Sequence, residues 1–235
     1  MAPARRRVAH ERVGAQMFAI LWKDLLIELR TKETLASLLL LGLLTLVVLS
    51  FAFDPTSPLR EAAAPGVLWV ALIFAGTLGM NRSLLHEREH ECLHGLLLAP
   101  LDRGTIYLAK TAANFLFMVA AQVVLLPLFI FFFNLPFAST IVGLTPVLLL
   151  ALLGFAAVGT LFAAVSLRTR AREVMLPLLM LPLATPLFIA GMQASAQLLS
   201  GEALAAVAHW LRLIAAFDVV FLVVGWLAFE YVVEE

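Results

Sequence analysis

The stretch TAANFLFMVAAQVVLLPLFIFFF, residues 111–133, contains no charged side chain and decides the class of fold. A helix needs roughly 20 apolar residues to cross the hydrocarbon core of a bilayer. Only helices and closed barrels satisfy their backbone hydrogen bonds in lipid, and a barrel strand alternates apolar and polar residues. This stretch does not alternate, so it predicts a membrane-spanning helix.

Five further apolar runs flank this stretch, and only the last of them contains acids, Asp218 and, near its end, Glu230. The composition agrees, since 63% of the 235 residues are hydrophobic and 14% are charged, whereas soluble domains are about half apolar and about a quarter charged. We therefore predict an all-α, polytopic membrane protein with six transmembrane helices; five spans plus an interfacial helix is the alternative. The other runs are residues 35–53, 62–81, 174–201 and 213–233, and one that lies between residues 135 and 167. We expect this last run to start near Gly143 or Pro146, after a short outer loop at residues 134–140.

The basic residues lie almost entirely on one side of these spans. Of the sixteen Lys and Arg residues, seven precede the first run, four lie between the second and third, and three lie between the fourth and fifth. Only Arg60 and Arg212 lie on the other side. Because an excess of Lys and Arg marks the cytoplasmic side, we expect both termini to be cytoplasmic, which also favours an even number of spans.

An apolar stripe at three-to-four spacing precedes the first run, with most charged side chains on other faces. Its members are Phe18, Leu21, Trp22, Leu25, Leu26 and Leu29. Such a pattern predicts an amphipathic helix that lies in the headgroup plane as an interfacial elbow. A stub that packs on the other helices is the alternative, and the two are compatible. We assign residues 1–34 to the cytoplasmic tail and this helix, and residues 35–235 to the transmembrane domain.

The segment of residues 82–108, between the second and third spans, is too long for a simple turn. Its first half has helical character, and Gly95, Pro100 and Gly104 predict a helix, a turn and a return to the membrane. A short charged helix held beneath the spans suits docking to a soluble partner, whereas a merely solvated loop is the alternative. The candidate docking residues are Arg82, His86, Glu87, Arg88, Glu89, His90, Glu91 and Leu93.

Gly104–Thr111 has the spacing of a phosphate-binding loop, but Ala109 stands where the second glycine belongs. No strand precedes it and an apolar run follows it, so the context that the motif requires is missing. We therefore predict that the chain is not an enzyme and has no nucleotide site of its own.

Several stretches resemble the CcmB family, the haem exporter B permease of the bacterial cytochrome c maturation ABC system. The similar stretches are FDP (53–55), APGVLWVALIFAGTLGMNRSL (64–84), LHGLLLAPLDRGTIYLAK (93–110), LPLLMLPLATPLFIAG (176–191) and AFDVVFLVVGWLAFEYVVEE (216–235). The likeness covers nearly the whole chain after about Met17 and is most specific over residues 64–110.

The resemblance implies an ABC-2-like permease in the bacterial inner membrane whose ATP hydrolysis occurs in a separate ATP-binding subunit. It implies that residues 82–98 form the coupling helix that fits this ATPase. Other cytochrome c maturation membrane proteins and a periplasmic haem chaperone are the further expected partners, and no nucleic acid is expected. We expect no covalently bound cofactor, haem as a transported or passing ligand, and ATP only on the partner subunit.

Four histidines are candidates for binding a metal ion, a partner or haem. His86, His90 and His94 share one helical face, which suggests either metal binding or partner contact; because they span about 12 Å of helix they cannot all ligate one ion, so no metal site is expected. His209, beside Trp210 at the outer mouth of the last span, is a candidate axial haem ligand, since imidazole is the usual one.

Asp218 is an acid within an apolar run, and such residues are functional by default. A hydrated position near the outer headgroups is the alternative.

Gly154 and Gly159 leave room for close helix packing in the fourth span. Pro177, Pro182 and Pro186 indicate an irregular fifth span, lining either a moving interface or passive packing.

Three other functions compete with the haem permease. An ABC-2 permease for a lipid, a polysaccharide or a drug would share the same architecture. A stand-alone secondary transporter would show inverted repeats and paired intramembrane charges, which are not evident in the sequence. An intramembrane enzyme would need clustered His, Asp, Glu or Ser at membrane depth, and no such cluster is evident either.

Overall fold

The computed structural model describes residues 3–54, 56–89, 102–166 and 172–234, and these ranges contain helices and short connections but no strand. The helices are α1 Pro3–Thr31, α2 Glu33–Ala52, α3 Pro58–Glu89, α4 Arg103–Phe133, α5 Phe137–Ser166, α6 Arg172–Leu199 and α7 Ala208–Glu234. Six of them, α2 to α7, are long and apolar enough to cross a membrane. The predicted all-α fold with six spans is confirmed.

A sharp bend separates α1 from the first span. Lys32 adopts the left-handed conformation with φ 57°, and its N–H bonds to the carbonyl of Glu28 over 2.7 Å. The Glu28 carboxylate then accepts a 2.7 Å hydrogen bond from the backbone N–H of Leu35. Because the first N–H groups of a helix have no partner within it, this buried carboxylate caps α2 from the preceding helix.

The loop between α4 and α5 is shorter than predicted, and the expected start of α5 near Gly143 or Pro146 is wrong. Asn134 ends α4 with φ 53°, and its N–H bonds to carbonyls of the last turn. Helix α5 then begins at Phe137, directly after Pro136. Asparagine tolerates the left-handed conformation at a helix end, and proline fits a helix start because no N–H is needed there.

Prolines do not end the membrane helices. Pro146 lies inside α5, and Pro177, Pro182 and Pro186 lie inside α6. Neighbouring helices and local adjustment make such prolines tolerable within membrane spans. Helix α7 begins at Ala208, earlier than the predicted 213, so the polar side chains of His209 and Arg212 lie within its first turns.

The core of the bundle is made by large side chains from several spans. Trp69 of α3 donates a 3.1 Å hydrogen bond to Ser195 of α6. Phe188 lies between the rings of Trp69 and Phe155, with centroid distances of 6.3 Å and 5.3 Å. A Cβ at Gly159 would lie 1.8 Å from the Met80 sulfur, which confirms the predicted close packing at this glycine.

The outside of the bundle is apolar. Large hydrophobic side chains are exposed along the spans, among them Phe51, Val123, Phe131, Val142 and Leu178. Helices α2 and α7 are the least buried spans, since only 22% and 17% of the residues in their most apolar stretches lie inside the bundle. Exposed apolar surface of this extent is expected of helices that face lipid rather than water.

Candidate functional site

The helix that carries the second span continues into the 82–108 segment. The apolar part of α3 ends at Asn81, whereas the helix itself runs on to Glu89. The side chains of Arg82, His86, Glu87, Arg88 and Glu89 lie outside the described part of the structure, as do residues 90–101, which include His90, Glu91, Leu93 and His94. Partner docking by these residues therefore stays a prediction.

The other end of the 82–108 segment is helical from Arg103, so Gly104 does not break the chain as predicted. Asp102 caps α4, and its carboxylate accepts a 3.2 Å hydrogen bond from the backbone N–H of Thr105. Aspartate at this position starts a helix by satisfying an unpaired donor. Gly104 serves close packing instead, because a Cβ there would lie 2.0 Å from Nε1 of Trp226.

Tyr107 joins the start of α4 to two other spans. The side chain is fully buried, and its hydroxyl donates toward the carbonyls of Ala157 in α5 and Phe221 in α7, at 3.0 Å and 3.2 Å. Its ring also lies against Gly225, where a Cβ would approach within 2.2 Å. The membrane-proximal end of the 82–108 segment is thus anchored to the bundle.

A buried ion pair connects α1 to α4. Lys110 Nζ lies 2.7 Å from one carboxylate oxygen of Asp24, and their side chains are 9% and 10% exposed. Lys23 lies 3.1 Å from the other oxygen of Asp24. Sequence reasoning missed this pair, because it treated Lys110 as a cytoplasmic charge and as part of the phosphate-loop-like stretch. The available signals were a lysine next to an apolar run and an aspartate on an amphipathic helix. Neither signal indicates which residue is the partner.

Residues of the phosphate-loop-like stretch lie within α4. Gly104 and Lys110 are both helical, whereas the motif requires a loop that presents backbone N–H groups to phosphate. The Lys110 ammonium points to Asp24 rather than outward. This stretch therefore does not have the conformation of a phosphate-binding loop.

Helix α1 is attached to the bundle at several points. Its Ile20 packs in an apolar cluster with Ile106, Leu161 and Phe229, from α4, α5 and α7. Asp24 binds Lys110 one turn further on. Since Glu28 also caps α2, helix α1 braces the first and third spans against each other.

Asp218 lies inside the bundle. Its side chain is 3% exposed, and neither carboxylate oxygen has a hydrogen-bond partner among the described residues. A Cβ at Gly154 would lie 2.1 Å from Oδ1, so the carboxyl packs directly against the α5 backbone. Because the side chain is buried, the alternative of a hydrated position near the outer headgroups does not agree with the structure. Its functional role stays a prediction.

His209 is exposed at the start of α7. Its Nδ1 lies 3.1 Å from the carbonyl oxygen of Ala206. Because a carbonyl only accepts, Nδ1 carries the proton in this bond, which leaves Nε2 unprotonated in the neutral ring. The ring also packs on Trp210, with centroids 4.7 Å apart. Haem ligation by His209 stays a prediction.

These features define a multi-pass α-helical membrane protein with an amphipathic N-terminal helix and a polar segment that continues one span. The model of the CcmB protein family matches residues 15–235, and the chain belongs to this family. Heme exporter protein B of Pseudomonas aeruginosa is 32% identical over 175 residues, covering 72% of this chain and 76% of that protein. Its counterpart in Rhodobacter capsulatus is 28% identical, covering 74% and 80%. The resemblance found in the sequence is confirmed.

Proposed function

We propose that this chain is the membrane permease subunit of an ATP-driven haem exporter in the bacterial inner membrane, with both termini in the cytoplasm. The haem assignment comes from relatives named heme exporter protein B. ATP is hydrolysed by a separate ATP-binding subunit, and the other partners are cytochrome c maturation membrane proteins and a periplasmic haem chaperone.

The observation that carries this proposal is the continuity of α3 from its apolar span into the 82–108 segment. Force applied to a rigid helix moves the span to which it belongs, whereas force on a flexible loop is dissipated. The segment also returns to the membrane at an anchored point, since Asp102 caps α4 and Tyr107 fixes it to α5 and α7. A partner that grips the segment therefore pulls on fixed helices at both of its ends.

Helix α1 suits the place of an interfacial elbow. Phe18, Trp22 and Leu29 are exposed on it, and the rings of Phe18 and Trp22 stack at 6.1 Å. Leu21 and Leu25 turn inward and pack against the core. An exposed apolar face beside a basic tail favours the headgroup region of the cytoplasmic leaflet.

In the proposed cycle, closure of the ATPase subunits pushes the 82–108 segment. The motion passes along α3 and through α4, and the Lys110–Asp24 pair passes it to α1. Because Glu28 caps α2, α1 carries the first span with it. The spans that reorient are then α2, α3 and α6, of which α6 contacts α3 through the Trp69–Ser195 bond.

Reversing charge in the 82–108 segment tests the coupling. We expect Glu87→Arg combined with Glu91→Arg to abolish co-purification of the ATP-binding subunit and ATP-dependent activity. A surface of that subunit that is complementary to these acids is basic, so it would repel the new arginines. The measurement is the amount of ATPase recovered with the affinity-tagged chain from membranes.

The matched control is Glu202→Arg, which makes the same change at an exposed position of the opposite, outer loop. It should leave ATPase recovery at the wild-type level. Equal recovery with the double variant and with the wild type would place the ATPase contact elsewhere and remove the coupling role of this segment.

Deleting the gene tests the haem assignment. We expect the deletion strain to lack c-type cytochromes, detected by haem-stained gels, while b-type cytochromes, whose haem is not covalently attached, remain. Expression of the chain from a plasmid should restore the c-type cytochromes. Normal c-type cytochromes in the deletion strain would reject haem and leave a lipid, a polysaccharide or a drug as the substrate class.

A further inference from the structure

The Asp218 carboxyl is an acid at the contact of α5 and α7 that the proposed function does not use. Both of its oxygens are buried and have no partner among the described residues. Buried polar groups are nearly always hydrogen-bonded, so an unpartnered carboxyl calls for an explanation. A buried carboxylate without a counter-charge is strongly unfavourable, and such groups bind a cation or become neutral.

The packing leaves no room for a metal ion on the side of α5. A single added carbon at Gly154 would lie 2.1 Å from Oδ1 and 3.3 Å from Cγ of Asp218, and 3.2 Å from Phe217. The carboxyl thus lies against the glycine backbone, with no space for even one side-chain carbon between them. A proton is the one cation that needs no further volume.

No neighbouring helix supplies a counter-charge among the described side chains. Helix α5 contains no titratable residue, and neither does α6 from Met175 to Leu199. On α4, Lys110 binds Asp24, and the Tyr107 hydroxyl donates to backbone carbonyls. Among the described side chains of α4 and α7, the remaining titratable or charged groups are Arg103, His209, Arg212, Glu230 and Tyr231; none of them is a hydrogen-bond partner of the Asp218 carboxylate.

We propose that Asp218 is a proton-binding site, and that its neutral, protonated form latches α5 against α7. Loss of the proton creates a charge that only water or a cation can stabilise, and either of them reaches the carboxyl only if Gly154 and Asp218 separate. The packed state therefore binds the proton more tightly than the separated state. By linkage, a rise in pH favours separation and a fall in pH favours the packing seen here.

Infrared spectroscopy of the full-length chain in lipid nanodiscs tests the protonation directly. We expect the carbonyl band of a protonated carboxylic acid at neutral pH, its loss as the pH rises, and its absence in Asp218→Asn. Asp54→Asn is the matched control. Hydrogen bonds from the backbone N–H and hydroxyl of Thr56 hold the pKa of the exposed Asp54 carboxyl below its ordinary value, so this residue contributes no such band.

A distance measurement tests the latch. Spin labels at the exposed positions Val142 on α5 and Leu213 on α7, in a Cys92→Ser background, report the separation of the two helices. We expect the distance to lengthen with pH in the wild type. In Asp218→Asn, which is neutral at every pH, it should stay short.

Two results would overturn the proposal. One is an infrared spectrum of the wild type without an acid band at neutral pH, which requires no variant to fold. The other is the same pH dependence of the label distance in Asp218→Asn as in the wild type. Both readouts are independent of haem export, so failure of the proposed function leaves this test intact.

Discussion

Lys110→Met is expected to lower the free energy of unfolding by about 3 kcal/mol, because it leaves the buried Asp24 carboxylate without its closest cation. Removing one member of a buried ion pair costs about 3–5 kcal/mol, since the remaining charge stays out of water. We expect the lower end of this range here because Lys23, 3.1 Å from the other oxygen, keeps part of the compensation. Unfolding by SDS titration in mixed micelles measures the difference.

Lys32→Met is the matched control, because it removes the same group from an exposed lysine on the same side of the bundle. It should change the free energy of unfolding by well under about 1 kcal/mol. The double variant Asp24→Leu with Lys110→Met should recover most of the loss, since replacing both partners by apolar groups is often nearly neutral. If Lys110→Met is no more harmful than the control, the pair does not brace α1 on α4.

Gly225→Leu is expected to have a comparable effect, about 3 kcal/mol, which is the upper end of the usual range for overpacking. The new Cβ alone would lie 2.2 Å from the ring and hydroxyl of Tyr107. The ring cannot move aside easily, because it is fully buried and its hydroxyl donates to two backbone carbonyls. The amount of folded protein after detergent extraction, followed by the melting temperature, gives the readout.

Gly66→Leu controls for glycine replacement itself. Gly66 also lies in a membrane span, yet nothing stands within 4 Å of an added Cβ, so leucine should be accepted there. A second variant isolates the clash. In a Tyr107→Ala background the space of the ring is empty, and Gly225→Leu should then be neutral or stabilising. Equal damage by Gly225→Leu with and without the Tyr107 ring would show that the contact is not the cause.

The number and nature of the spans could be predicted from the sequence because lipid imposes a simple rule on each helix separately. A run of about 20 apolar residues is read locally, whatever its neighbours are. The errors fell at helix ends. The start of α5 was misplaced because Asn134 and Pro136, which set that end, were assigned to a longer loop. The sequence predicts a break at Gly104, whereas in the structure Asp102 starts a helix just before it.

The candidate docking residues were found from their charge and from the family resemblance. The anchors of the same segment were not, because they depend on contacts between residues far apart in the chain. Tyr107 meets the carbonyl of Phe221, 114 positions away, and Lys110 meets Asp24, 86 positions away. One sequence carries no information about which of several apolar helices lie side by side.

By itself, then, the sequence determined that this chain crosses a membrane as six helices, which side carries the positive charge, and to which family it belongs. Hydrophobic length, charge bias and local similarity are each properties of a single segment. Only the tertiary structure decided that Asp218 lies against Gly154 with no hydrogen-bond partner among the described residues, and that Lys110 binds α1 through Asp24. The burial and pairing of a charge depend on the helices that surround it, and those neighbours exist only after the bundle has packed.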